Sequence, residues 1–457
     1  MNAFRCPSLL TQRGWLSDQL VKVDERGRIS SIRPWSEVPE SDPFETLSGP
    51  VIPGMCNLHS HAHQRLIAGL TGRRGAAEDS FWSWREQMYR AIALLEPADL
   101  QYLATWLYIE LLEGGYTVTG EFHYPHRLSG SEPLASSQAL FAAAEAAGCA
   151  LTLLPVWYRY AGFGRQAPER LQQPFVLDAM GFRQLVSDLT EQAGRSDQLR
   201  VGMAPHSLRA VDVADLPALA EDLPDIPIHI HIAEQADEVS ACLNATGQRP
   251  VGLLAEHVAL GPRWCLIHAT HASADELLMM ARAGVVVGLC PTTEADLGDG
   301  LFPVSELLAA GGRWGIGSDS NLMTSAASEL RLLEWGQRLV GHQRNLLAPR
   351  QGGHLGAAMW SHAAQSGADA LAQPAGSLAV GKRADWVVLN AAHPLLEGLG
   401  PDAQLDTLIM AEKPGMIDAV FVAGKQQVSG GRHHRREEFD QRFAALRGKL
   451  AEAGVSS

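Results

Sequence analysis

Ile228-His229-Ile230-His231-Ile232-Ala233-Glu234 sets two histidines among three isoleucines and ends on a carboxylate. A strand sends alternate side chains to opposite faces, so both histidines face one side and the isoleucines the other. One interior histidine is most simply a hydrogen-bonded core residue. Two on one face of a core strand, with a carboxylate following, fit a metal site better. His231 is the candidate ligand because it lies nearer the strand's C-terminal end. His229 then sits one layer deeper, as a buried support.

Seven further apolar runs resemble this one. In order, the eight cover residues 57–63, 117–124, 151–158, 200–207, 226–234, 264–270, 284–293 and 313–320. Helical spacing of apolar residues lies between them, for example over 100–112 and 274–283. Strands alternating with helices predict parallel βαβ units, and eight of them predict an α/β fold of the (β/α)8 TIM-type barrel class. The barrel is assigned to residues 53–375.

The two ends of the chain read differently. Leu20-Val21-Lys22-Val23 and Ile29-Ser30-Ser31-Ile32 flank Asp24-Glu25-Arg26-Gly27, a good hairpin turn. Trp386-Val387-Val388-Leu389 and Ala419-Val420-Phe421-Val422 are strand-like as well. Residues 1–52 and 376–457 are therefore expected to combine into a small β-sandwich domain beside the barrel. The charged amphipathic tail, 435–450, predicts a helix used for packing or an oligomer contact.

Composition narrows the class. The chain has 457 residues, 46% hydrophobic and 19% charged, as expected of a globular protein with a large core. With 37 Lys and Arg against 51 Asp and Glu, the formal charge is −14. That field repels nucleic acid and anionic membrane surfaces, so neither is expected as a partner. The six cysteines have irregular spacing and no CxxC pair, which suits buried, reduced thiols. No signal-type leader and no long apolar span is visible, and a cytoplasmic location is expected.

Barrel enzymes place their chemistry at the C-terminal ends of the strands. The first run ends in Asn57-Leu58-His59-Ser60-His61-Ala62-His63-Gln64. His59 and His61, two apart, can face one ion. The sixth run carries His268, and the eighth ends in Gly317-Ser318-Asp319. A buried carboxylate needs a metal or a charged partner. His59, His61, His231 and Asp319 thus form a candidate set of three neutral nitrogens and one carboxylate. This set suits zinc, with iron or another divalent ion as the alternative. The middle runs 151–158 and 200–207 contain no Lys that could bridge two ions, so one metal per subunit is expected. Such an ion acidifies a water to about pKa 7. Glu234 could move its proton, His268 could stabilise the developing tetrahedral centre, and Asp319 could both bind metal and accept a proton.

Pro53-Gly54-Met55 with His59-x-His61, His231-x-x-Glu234, His268, Ser318-Asp319 and the stretch Gly376-Ser377-Leu378 to Ala384-Asp385 together resemble the amidohydrolase superfamily, in particular its deaminase branch. A narrower set of motifs is similar to the formimidoylglutamate deiminase family. It comprises Phe81-Trp82-Ser83-Trp84-Arg85, Glu121-Phe122-His123-Tyr124, His206-Ser207-Leu208-Arg209, His229 to Gln235 and Leu297-Gly298-Asp299-Gly300. That resemblance implies zinc-dependent conversion of N-formimidoyl-L-glutamate and water to N-formyl-L-glutamate and ammonia, in histidine degradation. A homodimer is the form that the superfamily suggests.

The residues agree with a small dianionic substrate. Arginine forks match carboxylates bidentately. Arg85 and Arg209 fall in the loops after the first and fourth runs, on the expected site face. A surface salt bridge is the bland alternative for Arg85. Tyr124 and His206 end strands and can add hydrogen bonds, and Gln64 lies just beyond the metal pair. His63 departs from the family pattern, where Phe is more usual, and adds a third histidine that could line the pocket. A deaminase of guanine, an adenosine-like base or another heterocycle would share the metal set but have less use for two arginines. A non-catalytic paralogue would have lost a ligand or the glutamate, and none is lost.

Overall fold

The computed structural model describes residues 2–38, 43–70 and 81–454; the side chains of residues 81–83 also lie outside it. The expected eight strands are present. They are Met55–Ser60, Tyr116–His123, Ala150–Trp157, Leu199–Val201 continued by Ala204–Pro205, Ile228–Ile232, Trp264–His268, Val286–Leu289 and Arg313–Ile316. Neighbours pair in parallel through two ladders. Two seams close the ring. At one, His229 N donates to Met203 O at 3.0 Å and His231 N to His206 O at 3.1 Å. At the other, Asp319 N donates to His59 O at 2.9 Å and His61 N to Asp319 O at 3.0 Å.

Nearly every barrel-strand residue is buried, because helices cover the outer face and side chains fill the inner one. Local signals set the helix limits. Helix Ala274–Ala283 starts where Ser273 Oγ accepts from Glu276 N, with Glu276 returning to the Ser273 N–H, and it stops at left-handed Gly284. The seventh run is shorter than its apolar stretch predicts. Its strand ends at Leu289, and Pro291 opens a helix, Pro291–Leu297, at a position where its missing N–H is no loss. Thr293 and Glu294 therefore reach the barrel mouth from a helix. Arg85 likewise lies on a helix, Phe81–Ile92, rather than in a loop.

The terminal segments combine, as expected, in one nine-stranded sheet. Asn2–Thr11, Gly14–Val23 and Ile29–Pro34 run antiparallel, and Val51–Pro53 joins them to Trp386–Leu389 and Ile417–Val422. The sheet curls over its own core. Phe4 lies three strands from Phe421 along the hydrogen-bonded path, yet their ring centroids are 5.4 Å apart, with Trp386 5.1 Å from Phe4. The tail helix, Arg436–Glu452, packs back on barrel helix Pro97–Glu113, where Phe443 stacks on Trp106 at 3.7 Å. All six cysteines are free and buried. Among the described residues, no helix is long and apolar enough to cross a membrane.

Trp386 is only 1% exposed and anchors the curled sheet. Trp386→Ala is expected to lower stability by about 3–5 kcal/mol, read from chemical unfolding. An unchanged unfolding midpoint would show that this aromatic cluster does not hold the sheet.

Candidate metal centre and substrate cleft

Strand ends aim the candidate ligands at one point. His59 Nε2 lies 3.0 Å from His231 Nε2 and 3.4 Å from Asp319 Oδ1, and His61 Nε2 lies 3.3 Å from the same carboxylate oxygen. Hydrogen bonds fix two of the rings. His61 Nδ1 bonds to Phe122 O at 2.8 Å and His231 Nδ1 to His206 O at 3.0 Å, so each ring donates from Nδ1 and turns a bare Nε2 inward. His231 Nε2 thus meets His59 Nε2 as an acceptor, satisfied by a cation or by the N–H of a neutral His59. Burial pushes all three imidazoles below their ordinary range, His59 to about 3, which favours the neutral rings that a metal takes as ligands. The donor set therefore fits a divalent metal ion. Burial alone would raise the Asp319 carboxyl, but its hydrogen bond to His59 and the neighbouring imidazoles outweigh that and hold it well below the usual range.

Backbone shape contributes to this convergence. Asp319 lies beyond the end of its strand with φ 44°, and His268 has φ 66°. Left-handed backbone at non-glycine residues is strained and persists where surrounding contacts hold it. Gly317 meets a different constraint. A Cβ there would stand 2.8 Å from both Cβ and O of His59, so only glycine lets the last strand approach the first so closely.

His268 faces the same point from the sixth strand. Its Nε2 is 3.8 Å from Glu234 Oε1 and 3.7 Å from Asp319 Oδ2. Its Nδ1 bonds to Glu294 Oε1 at 3.2 Å. Burial would lower this imidazole, but Glu234, Glu294 and Asp319 more than offset it and raise His268 to about 10. The Glu234 carboxyl is raised, mainly by burial. Glu294 was not foreseen, because no spacing rule marks a helical glutamate beyond a strand it does not belong to. Asp299, quoted only within a motif, is buried and takes a hydrogen bond from Gln235 Nε2.

Beside this cluster opens a cleft. Gln64, Arg85, Tyr124, His206 and Arg209 all line it, together with Glu234, His268 and Asp319. Trp84, Met88, Tyr89 and Tyr158 complete its wall without having been expected there. Tyr124 Oη accepts from Gln64 Nε2 at 3.2 Å and donates to Met88 Sδ at 3.3 Å, which leaves the Gln64 carbonyl oxygen buried without a partner among the described residues. Arg209 Nε is likewise buried without one. The charges of Arg209 and Arg85 both act on His206 and Tyr158, so both guanidinium groups lie near these two cleft-lining rings. His63 is outside the ligand cluster. The first strand ends at Ser60, so its two-residue register does not extend to His63, whose Nε2 packs 3.1 Å from Tyr124 Oη. His229 is buried with Nε2 on Ala370 O at 2.8 Å, one layer below His231.

Gly317→Ala is expected to push the His59 segment outward and lower the divalent metal retained by purified protein, measured by elemental analysis. Parent-level metal in this variant would show that the strand spacing is not what holds the ligands together.

Residues 51–426 match the amidohydrolase family model. The chain is 44% identical over 460 residues to a formimidoylglutamate deiminase of Pseudomonas aeruginosa, covering 98% of this chain and 100% of the relative. It is 27% identical over 418 residues to an 8-oxoguanine deaminase of the same organism, covering 90% and 89%. The crystal structure of an amidohydrolase from Brucella melitensis superposes with a TM-score of 0.92 at 40% identity, over 99% of this chain and 100% of that one. Fold, ligand cluster and these similarities agree, and the chain belongs to the amidohydrolase family.

Proposed function

We propose that this chain hydrolyses N-formimidoyl-L-glutamate to N-formyl-L-glutamate and ammonia, as a step of histidine degradation, with one zinc ion per subunit. The carrying observation is a cleft lined both by the metal-ligand cluster and by two arginines. A linear amidine with two carboxylates matches both features at once. The 44% identity to a formimidoylglutamate deiminase supports the same substrate, whereas the purine deaminase relative is far more distant.

His59, His61, His231 and Asp319 hold the ion, which when bound supplies a water acidic enough to lose a proton near neutral pH. Arg85 and Arg209 bind the carboxylates, with Tyr124 and His206 adding hydrogen bonds. Gln64 presents its free carbonyl oxygen to an N–H of the formimidoyl group. This fixes the reacting carbon against the ligand cluster. Glu234 takes the proton from the attacking water, and its raised carboxyl then gives a proton to the departing nitrogen. His268, its imidazole raised by three carboxylates, hydrogen-bonds from Nε2 to the water-derived oxygen on the tetrahedral carbon. That oxygen gives its remaining proton to Asp319 and becomes the formyl C=O as the C–N bond to the terminal nitrogen of the substrate amidinium breaks and ammonia leaves. The working form is a cytoplasmic homodimer, the assembly checked by light scattering.

An ammonia-release assay of zinc-loaded protein on formimidoylglutamate, with guanine in parallel, tests the reading. Rapid turnover of the first is expected, and turnover of guanine alone would overturn the assignment. Glu234→Gln should retain zinc and lose about 10²–10⁴-fold in kcat; a parent-like rate would remove Glu234 from proton transfer. Arg209→Ala removes a charged hydrogen bond and should lower kcat/KM by about 10- to 100-fold. No change would move carboxylate binding elsewhere.

A further inference from the structure

Asn321 occupies the seam where the last strand closes on the first, and no role follows for it from anything above. It is fully buried. Its Nδ2 donates to His61 O at 3.0 Å and to Asp319 O at 2.9 Å. Those are the backbone carbonyls of two candidate ligands on opposite sides of the seam. Its Oδ1 accepts from Ser318 Oγ at 2.6 Å, and Ser318 is clasped in turn by Asn57, whose Nδ2 donates to Oγ at 2.7 Å and whose Oδ1 accepts from Ser318 N at 2.9 Å. The backbone of Asn321 is fixed as well. Its carbonyl accepts from Arg65 Nη1 at 2.8 Å, and its N–H bonds to Ser318 O at 2.7 Å.

A carboxamide has two N–H donors and one carbonyl acceptor, and here all three are spent on the seam. Aspartate at this position would turn a carboxylate onto two carbonyl oxygens with no proton to offer them. The backbone at Asn321 is left-handed, φ 59°, which asparagine accepts more readily than most side chains. The side chain touches neither the cleft nor any ligand ring. Through the two carbonyls it can nonetheless set how far His61 and Asp319 stand apart.

We propose that Asn321 is a positioning residue for the metal centre, holding the backbones of His61 and Asp319 at the spacing their side chains need to share one ion. The inference rests on the metal reading given under Proposed function. Partners one layer out from a ligand set typically change metal affinity by 10- to 100-fold when removed, and the same range applies here.

Two variants separate the side chain from the backbone. Asn321→Gly keeps the left-handed conformation and deletes the carboxamide; Asn321→Asp keeps the shape and deletes the donors. Zinc affinity is measured by chelator competition on purified full-length protein, with the melting midpoint and the kcat and KM of zinc-saturated enzyme alongside. Both variants are expected to bind zinc about 10- to 100-fold more weakly, with kcat falling and KM little changed. Asn57→Ala, which loosens only Ser318, should lower the melting midpoint while zinc affinity stays close to the parent's. Folded Asn321 variants with the parent's zinc affinity would overturn the proposal, as would an Asn57→Ala variant that weakens zinc equally. If Asn321→Gly does not fold, Asn321→Asp decides by the same criterion. A parent that binds no zinc would overturn the metal reading and this inference together, whereas a parent that binds it isolates the inference.

Discussion

His59, His61, His231 and Asp319 are held out of water at mutual contacts of 3.0–3.4 Å, and the larger features of the molecule follow from that convergence. Burying bare nitrogens and a carboxylate together is unfavourable unless each is paired. No single strand or helix can bring such groups to one point from positions 59 and 319. A closed ring of parallel strands can, because every strand delivers its last residues to the same rim. The two seams of the ring are also where ligand backbones bond across: His59 to Asp319 to His61 at one, and His231 to His206 at the other. Barrel closure and ligand assembly are thus one event.

Much of this was legible in the chain because the signals were local. Ile228 to Glu234 shows its strand by alternation and its site by two histidines. His59 and His61 show theirs by a two-residue spacing. Arg209 lies in the turn a few residues after the fourth strand, so its place at the rim follows from the strand. The terminal sheet was readable as strands at both ends of the chain. Its single curled path was not, since that depends on Phe4 meeting Trp386 and Phe421 across the core.

What escaped reading depends on contacts between distant elements. Glu294 supports His268 from a helix that opens at Pro291, inside a stretch whose apolar character extends the strand. Arg85 reaches the cleft from a helix, because position alone does not separate a loop from a helix in the long first connection. Asn321 carries no signal of its own: an asparagine two residues beyond a strand-end aspartate is ordinary turn chemistry. Its bonds to His61 O and Ser60 Oγ emerge only when the first strand lies beside it. His63 misled in the opposite way, since a two-residue spacing means a shared face only while the strand lasts.

The curled terminal sheet also orders events during synthesis. Asn2–Thr11 and Gly14–Val23 can pair as a hairpin as soon as they emerge. Their apolar faces, Phe4 and Val21 among them, must wait for Trp386–Leu389 and Ile417–Val422, made hundreds of residues later. Domains usually fold in sequence from the N-terminus as the ribosome releases them. Here the earliest strands stay sticky until translation is nearly complete, so a chain stalled before residue 386 exposes an uncovered sheet.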